Sequence, residues 1–267
     1  MSVRKLRVIT FLAPSMEKIY RYTMDYAGRQ LGYEMEFVVG EVYEDVFDAD
    51  LSFICGLPYV LRTAPRLEPS PIEALVAPVL QGERYQGKPI YFSDVIVHRD
   101  SPFQKFEDLR GCSWAFNEPE SQSGYGITRY SLLQMGETQG FFGEVIEAGF
   151  HQKAVRMVAN KTVDASAIDS QVLAIELRDY PELAEQLRVI HTIGPSTIQP
   201  IAASSKLPKK LRQDLQAVFS EMHTDPEVAD VIAGGFVERF VPVDDSDYND
   251  IRDMLKACEA ANFLELR

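Results

Sequence analysis

Apolar residues recur along this chain in two rhythms. Short runs rich in β-branched and aromatic residues have the length and composition of strands: LRVITFLA from Leu6, MEFVVG from Met35, DLSFICG from Asp50 and PIYFSDVIVH from Pro89. Between Met16 and Leu31 the spacing changes. Ile19, Tyr22, Tyr26 and Leu31 fall at roughly helical intervals, and Gly32 supplies a stop. The alternation continues with FEDLRG as one helical turn, CSWAFN as a strand, Gly124 to Met135 as a helix closed by Gly136, and EVIEAG as a strand. A helix follows from His151 to Asn160 with Ala154, Val155 and Val158 on one face, then VDASAID as a strand, Ser170 to Arg178 as a helix and LRVIHTI as a strand. Beyond the extended GPSTIQP the chain turns helical, with Leu211, Leu215, Val218 and Phe219 on one face of Leu207 to Met222 and a last helix from Asp247 to Ala261. This order predicts an α/β protein with mainly parallel sheets flanked by helices. Two proline-flanked extended stretches, around Tyr91 and Ile198, read as paired hinge strands with a domain inserted between them.

Composition narrows the function classes. The 267 residues suffice for one large domain or two ordinary ones, and 46% hydrophobic with 25% charged residues is a globular profile. Lysine plus arginine number 27 against 40 aspartates and glutamates, a net charge of −13. Bulk electrostatics therefore argue against nucleic acid or an anionic membrane as partners. An anion would have to be held locally, by aimed donors. Apolar runs stay well short of a membrane span, so no stable insertion is expected. The opening MSVRKLRVITFLAPS shows no export leader, which reads as cytoplasmic, or as periplasmic if a leader has been removed. Cys55, Cys112 and Cys258 form no CxxC pair and no disulfide framework, and read as buried small hydrophobes. His98, His191 and His223 lack ligand spacing, and DDSDYND, from Asp244 to Asp250, lacks a calcium loop's glycine and closing glutamate. It reads as a solvated helix start, and neither metal nor cofactor is expected.

One stretch asks for chemistry. NEPESQSGYGITRYSLL, from Asn117 to Leu133, places Ser121, Gln122, Ser123 and Gly124 where a helix should begin. The first turn of a helix leaves N–H groups unpaired at the positive end of its dipole, so an oxyanion there accepts several bonds. Serine hydroxyls add rotatable donors, and glycine lets a backbone come close. Helix capping by Ser121 or Ser123 is the plainer alternative.

The segments LRVITFLAPSMEKIYRY, DLSFICGLPYVL, YFSDVIVHRDSPFQKFEDLRGCSWAFNEPESQSGY, EAGFHQKAVRMVANKTVDASAIDSQV and GPSTIQP, in that order, resemble one family throughout. It is the PhnD-like group of phosphate/phosphonate-binding proteins of ABC transporters, within the type 2 periplasmic binding proteins. Its pattern has Gly-Pro-Leu-x-Tyr after a strand, a crossover strand, a Glu-Asp-Leu-x-Gly turn, Ser-Thr-Ser-Gly-Tyr at a helix start, a Ser-His helix start and a Val-Asp-Ala…Asp-Ser strand end. The resemblance covers about Leu6 to Pro242. It implies two lobes, residues 1–90 plus 200–267 and residues 91–199, joined by two crossovers, with ligand in the cleft. It further implies that Ser121, Gln122, Ser123 and Gly124 clasp the oxyanion, that His151 donates to it and that Tyr59 faces it. Tyr91 would lie on the hinge, and Asp169 and Gln171 would line the pocket at a strand end.

The chain departs from the pattern in places. Gln122 stands for the usual threonine, Phe150 for the serine before His151, and Cys55-Gly56-Leu57-Pro58 alters the first motif. Gln171 and Gln199 stand where an aminoalkyl ligand would want carboxylates, so an ammonium group would lose charge-assisted bonds. The expected function is binding of a small phosphate-, phosphite- or phosphonate-like oxyanion for ABC-type uptake with a permease partner, without catalysis. Two alternatives stay open. One is a cytoplasmic biosynthetic enzyme on the same fold, of the chorismate dehydratase or thiamine-pyrimidine synthase kind. The other is a ligand-sensing module.

Overall fold

A computed structural model describes residues 4–63 and 70–266. The chain divides into two compact units, Met1–Ile90 with Thr197–Asn249, and Tyr91–Ser196 with Asp250–Arg267. It therefore passes between units at 90/91, 196/197 and 249/250. The first two passages fall on the stretches around Tyr91 and Ile198. The third is additional to the two crossovers expected, and it moves residues 250–267 out of the unit to which the sequence assigned them.

In the first unit, β1 (Arg4–Thr10) leads into α1 (Glu17–Leu31), β2 (Tyr33–Val39), β3 (Leu51–Phe53), α2 (Gly56–Arg62) and β4 (Ile72–Leu80). In the second unit come β5 (Ile90–His98), β6 (Ser113–Phe116), α3 (Ile127–Gln134), β7 (Glu144–Glu147), α4 (His151–Ala159), β8 (Ala165–Asp169), α5 (Ser170–Asp179), α6 (Pro181–Gln186) and β9 (Leu187–Thr197). The chain then forms β10 (Ile201–Ser204), α7 (Lys209–Glu221), α8 (Pro226–Ala233), β11 (Val237–Pro242) and finally α9 (Asn249–Ala260).

The first unit's sheet has the order β11-β4-β10-β3-β1-β2. β1 pairs parallel with β2 and β3, whereas β10 is antiparallel to both β3 and β4, and β11 to β4. The pairing is thus mixed where mainly parallel sheets were expected, because the returning segment after residue 200 inserts β10 between strands of the opening segment. Helix α1 buries Tyr20, Thr23, Met24 and Ala27, with Tyr20 stacked on Phe53 at 4.3 Å. The stripe read from the sequence lies on its flank instead. Ile19, Tyr22 and Tyr26 are half-buried, and Tyr22 donates to Glu227 on α8. The helix is covered from two sides, by the sheet and by the unit's later helices.

The second unit's sheet runs β7-β6-β8-β5-β9. β6 is parallel to β7 and β8, and β5 is antiparallel to β8. Its core joins Phe106, Trp114, Phe116, Tyr125, Phe141 and Phe142, with Trp114 stacked on Phe142 at 4.5 Å. Phe263 and Leu266 are buried in the same core, the Leu266 N–H donates to the Tyr125 hydroxyl at 3.2 Å, and Arg129 donates to the Leu264 carbonyl. That apolar anchorage is why the C-terminal segment groups with the second unit. Among the described residues no helix is long and apolar enough to cross a membrane.

Candidate functional site

Three parallel neighbours, β7, β6 and β8, each run into a helical start: His151 after β7, Ser121–Gly124 after β6, and Asp169–Gln171 after β8. Parallel strands in one sheet bring these starts to the same edge, the carboxyl end, where open α/β sheets bind ligands. The turn after β6 is not a plain α-helical start. Gln122–Gly126 form a π-helical turn, with Ser121 as N-cap and the Gly126 N–H bonded to the Ser121 carbonyl at 2.8 Å. Such wide turns are frequent at functional sites.

The side chains there form one hydrogen-bond chain. The Gly124 N–H donates to Ser121 Oγ at 3.1 Å, Ser121 Oγ lies 3.4 Å from Ser123 Oγ, and Ser123 Oγ lies 2.7 Å from His151 Nε2. All three side chains are buried, His151 being 6% exposed. Burial pushes the His151 pKa down from 6.5 to about 4, so the ring is neutral near pH 7. Among the described residues its Nδ1 has no hydrogen-bond partner. Ser121 thus caps the turn and also belongs to the polar cluster. The capping role weighed from the sequence is the one observed.

Other candidates stand elsewhere or are already engaged. The Gln122 side chain turns into the unit, its Nε2 at 3.3 Å from both Ser196 Oγ and Met254 Sδ. Asp169 caps α5, its Oδ1 accepting from the Gln171 and Val172 N–H groups at 2.8 and 3.3 Å. The Gln171 side chain is buried on the first turn of α5. Tyr91 is buried near the start of β5. Tyr59 and Gln199 belong to the first unit. The Tyr59 hydroxyl donates to Asp245 Oδ1 at 3.1 Å and accepts from the Ala74 N–H at 3.2 Å, while Gln199 is half-buried between β9 and β10. Phe150, the departure before His151, is 55% exposed and makes no side-chain cap.

Asn117 is a neighbour that sequence reasoning missed. A Cβ on Gly124 would stand 2.0 Å from Asn117 Oδ1 and 3.2 Å from its Cγ. A side chain at position 124 would therefore have to displace the Asn117 carboxamide of the same unit, whatever approaches from outside. Seven positions separate the two residues, and no spacing rule announces the contact. Among the described residues no group of three histidine, cysteine or carboxylate side chains could hold a metal ion.

A family model described as an ABC transporter phosphonate periplasmic substrate-binding protein matches residues 8–248. The phosphonates-binding periplasmic protein of Escherichia coli is 26% identical over 146 residues, a match spanning 53% of this chain and 43% of that relative. A binding-protein component of an ABC phosphonate transporter from Pseudomonas aeruginosa superposes with a TM-score of 0.80 at 18% identity, over 95% of this chain and 86% of that one. PhnD1 from Prochlorococcus marinus, solved in complex with methylphosphonate, gives 0.78 at 16% identity, over 98% and 99%. At these identities the superpositions establish the fold, which is α/β and matches two-lobed periplasmic binding proteins.

Proposed function

Because this chain belongs to the phosphonate-binding periplasmic substrate-binding family of ABC transporters, we propose that it binds a small phosphonate-type oxyanion on the Ser121–Gly124 turn and delivers it to a permease. The observation that carries this reading is the chain from the Gly124 N–H through Ser121 and Ser123 to His151. It gathers hydroxyl, imidazole and helix-start polar groups in a protein of net charge −13, without a side-chain cation on the turn. Tyr59, Tyr91, Asp169, Gln122, Gln171 and Gln199 stay in the proposed set on the strength of the family resemblance. Tyr59 would have to exchange its bond to Asp245 for one to ligand. Gln171 and Gln199 favour an uncharged substituent over an aminoalkyl one. The proposed compartment is the periplasm, that of the family.

A serine hydroxyl 2.7 Å from a histidine nitrogen is also two members of a nucleophilic triad. Among the described residues the third is lacking, because Nδ1 meets no carboxylate to orient the ring, and a ring with a pKa of about 4 is a weak general base. The pair is read as a binding device.

The test is a thermal-shift screen of methylphosphonate, phosphite, phosphate, 2-aminoethylphosphonate and sulfate, followed by calorimetry on the best ligand. A ligand at about a hundred times its Kd should stabilise the fold by about 2.7 kcal/mol. Ser123→Ala should weaken binding about tenfold to a hundredfold. If none of the five anions shifts the melting temperature, the proposal fails.

A further inference from the structure

Only the first link of the hydrogen-bond chain has a fixed donor, the Gly124 N–H, and the direction of the other two bears on which oxyanion fits. Ser121 Oγ already accepts from the Gly124 N–H, so the Ser121 proton remains to be donated, either to Ser123 Oγ or to an oxygen on the turn. A neutral imidazole carries one N–H and one lone pair. With the lone pair on Nε2, the Ser123 proton goes to His151 over 2.7 Å, and Ser123 Oγ is left as an acceptor among donors. Burial keeps the ring neutral. The charged groups on α4 and on the elements packed against it are occupied elsewhere: Arg156 pairs with Glu176 and Asp169 holds N–H groups of α5. Asp164, just before β8, holds the Ser113 N–H and hydroxyl, Arg178 pairs with Asp179, and Lys153 is exposed.

We propose that His151 Nε2 accepts from Ser123 and that the pair thereby makes this site selective for a singly protonated oxyanion, the monoanion R–PO2(OH)−, whose P–O–H donates to Ser123 Oγ while its charged oxygens take the N–H groups and the Ser121 hydroxyl. The inference rests on the reading of the turn as an oxyanion clasp and goes beyond it by assigning the ligand's proton. His151 then acts as a positioning residue, setting which way the Ser123 hydroxyl points. A sulfonate of the same shape has no proton to give, so the Ser123 lone pair would face an anionic oxygen. A dianion would carry a second charge into a buried turn without a side-chain cation to balance it.

The experiment uses the full chain, calorimetry with methylphosphonate and methanesulfonate, and 15N NMR of histidine-labelled protein. At neutral pH methanesulfonate should bind about tenfold to a hundredfold more weakly than methylphosphonate. Above the second ionisation of methylphosphonate, binding should take up about one proton, read from the buffer dependence of the heat. In the complex His151 should keep the two unlike nitrogen shifts of a neutral ring, which separates a proton on the ligand from a proton on His151. Ser123→Ala should lower methylphosphonate towards the methanesulfonate affinity. Equal affinities for the two ligands, binding without proton uptake, or imidazolium shifts in the complex would overturn the inference and leave the oxyanion site standing. If neither ligand binds, the reading of the site falls and the inference with it.

Discussion

At the scale of single residues, the site is held by contacts that also set stability. Gly124 is the clearest case. Its absent side chain is replaced in space by the Asn117 carboxamide, so Gly124→Ala drives a methyl group into Oδ1. Forcing that overlap should cost about 1–3 kcal/mol. Adding Asn117→Ala to the same protein should recover most of the loss, measured by urea unfolding. If the double variant is as unstable as the single, the glycine is needed for another reason. His151 sets a second expectation. Its folded pKa of about 4 lies below the unfolded 6.5, so between these values the unfolded state binds the extra proton. The contribution is fully present above pH 6.5, falls as pH drops, and is lost below about pH 4. It amounts to about 3 kcal/mol. His151→Phe should flatten stability against pH across that window. An unchanged slope would show that the ring titrates normally in the folded chain.

At the scale of elements, what the sequence disclosed depended on how local the signal was. The helix from Glu17, the strand at VDASAID and the helix after Asp169 were legible because period and punctuation agree within each segment. β4, IEALVAPVL, went unread as a strand: it is apolar but for Glu73 and contains Pro78, so it shows neither alternation nor clean boundaries. β10 and β11 were missed because they are short and take their partners from β3 and β4, far earlier in the chain. No local pattern encodes such antiparallel insertions. At the site, the helical starts of Ser121–Gly124 and His151 were visible, and the family resemblance implied that both serve one oxyanion, but the 2.7 Å contact between Ser123 and His151 was not foreseen, since β7 and β6 had to pair first. The contacts of Gln122 were beyond reach. Its partners Ser196 and Met254 lie 74 and 132 positions away, and no local pattern points to residues so distant.

At the scale of the whole molecule, charge and site oppose each other, and that opposition can be measured. The chain carries −13, with exposed carboxylates at Asp244, Asp245 and Asp247, yet its proposed ligand is an anion. The average field repels such a ligand at long range, and only the donors of the turn attract it at short range. Salt separates the two. The screening length is about 30 Å at 0.01 M and about 10 Å at 0.1 M, so moderate salt removes most of the repulsion while bonds inside a buried turn are little affected. The association rate of methylphosphonate should therefore rise with ionic strength, opposite to a protein that steers anions with a basic patch. Stopped-flow fluorescence can follow it through Trp114, the single tryptophan, buried in β6 just before the turn. Chloride and perchlorate salts compared at equal ionic strength distinguish screening, which is the same for both, from competition for the site, which is not. A rate that falls with both salts alike would mean that the local potential at the turn is positive enough to govern the approach, and that the acidic surface is irrelevant to capture.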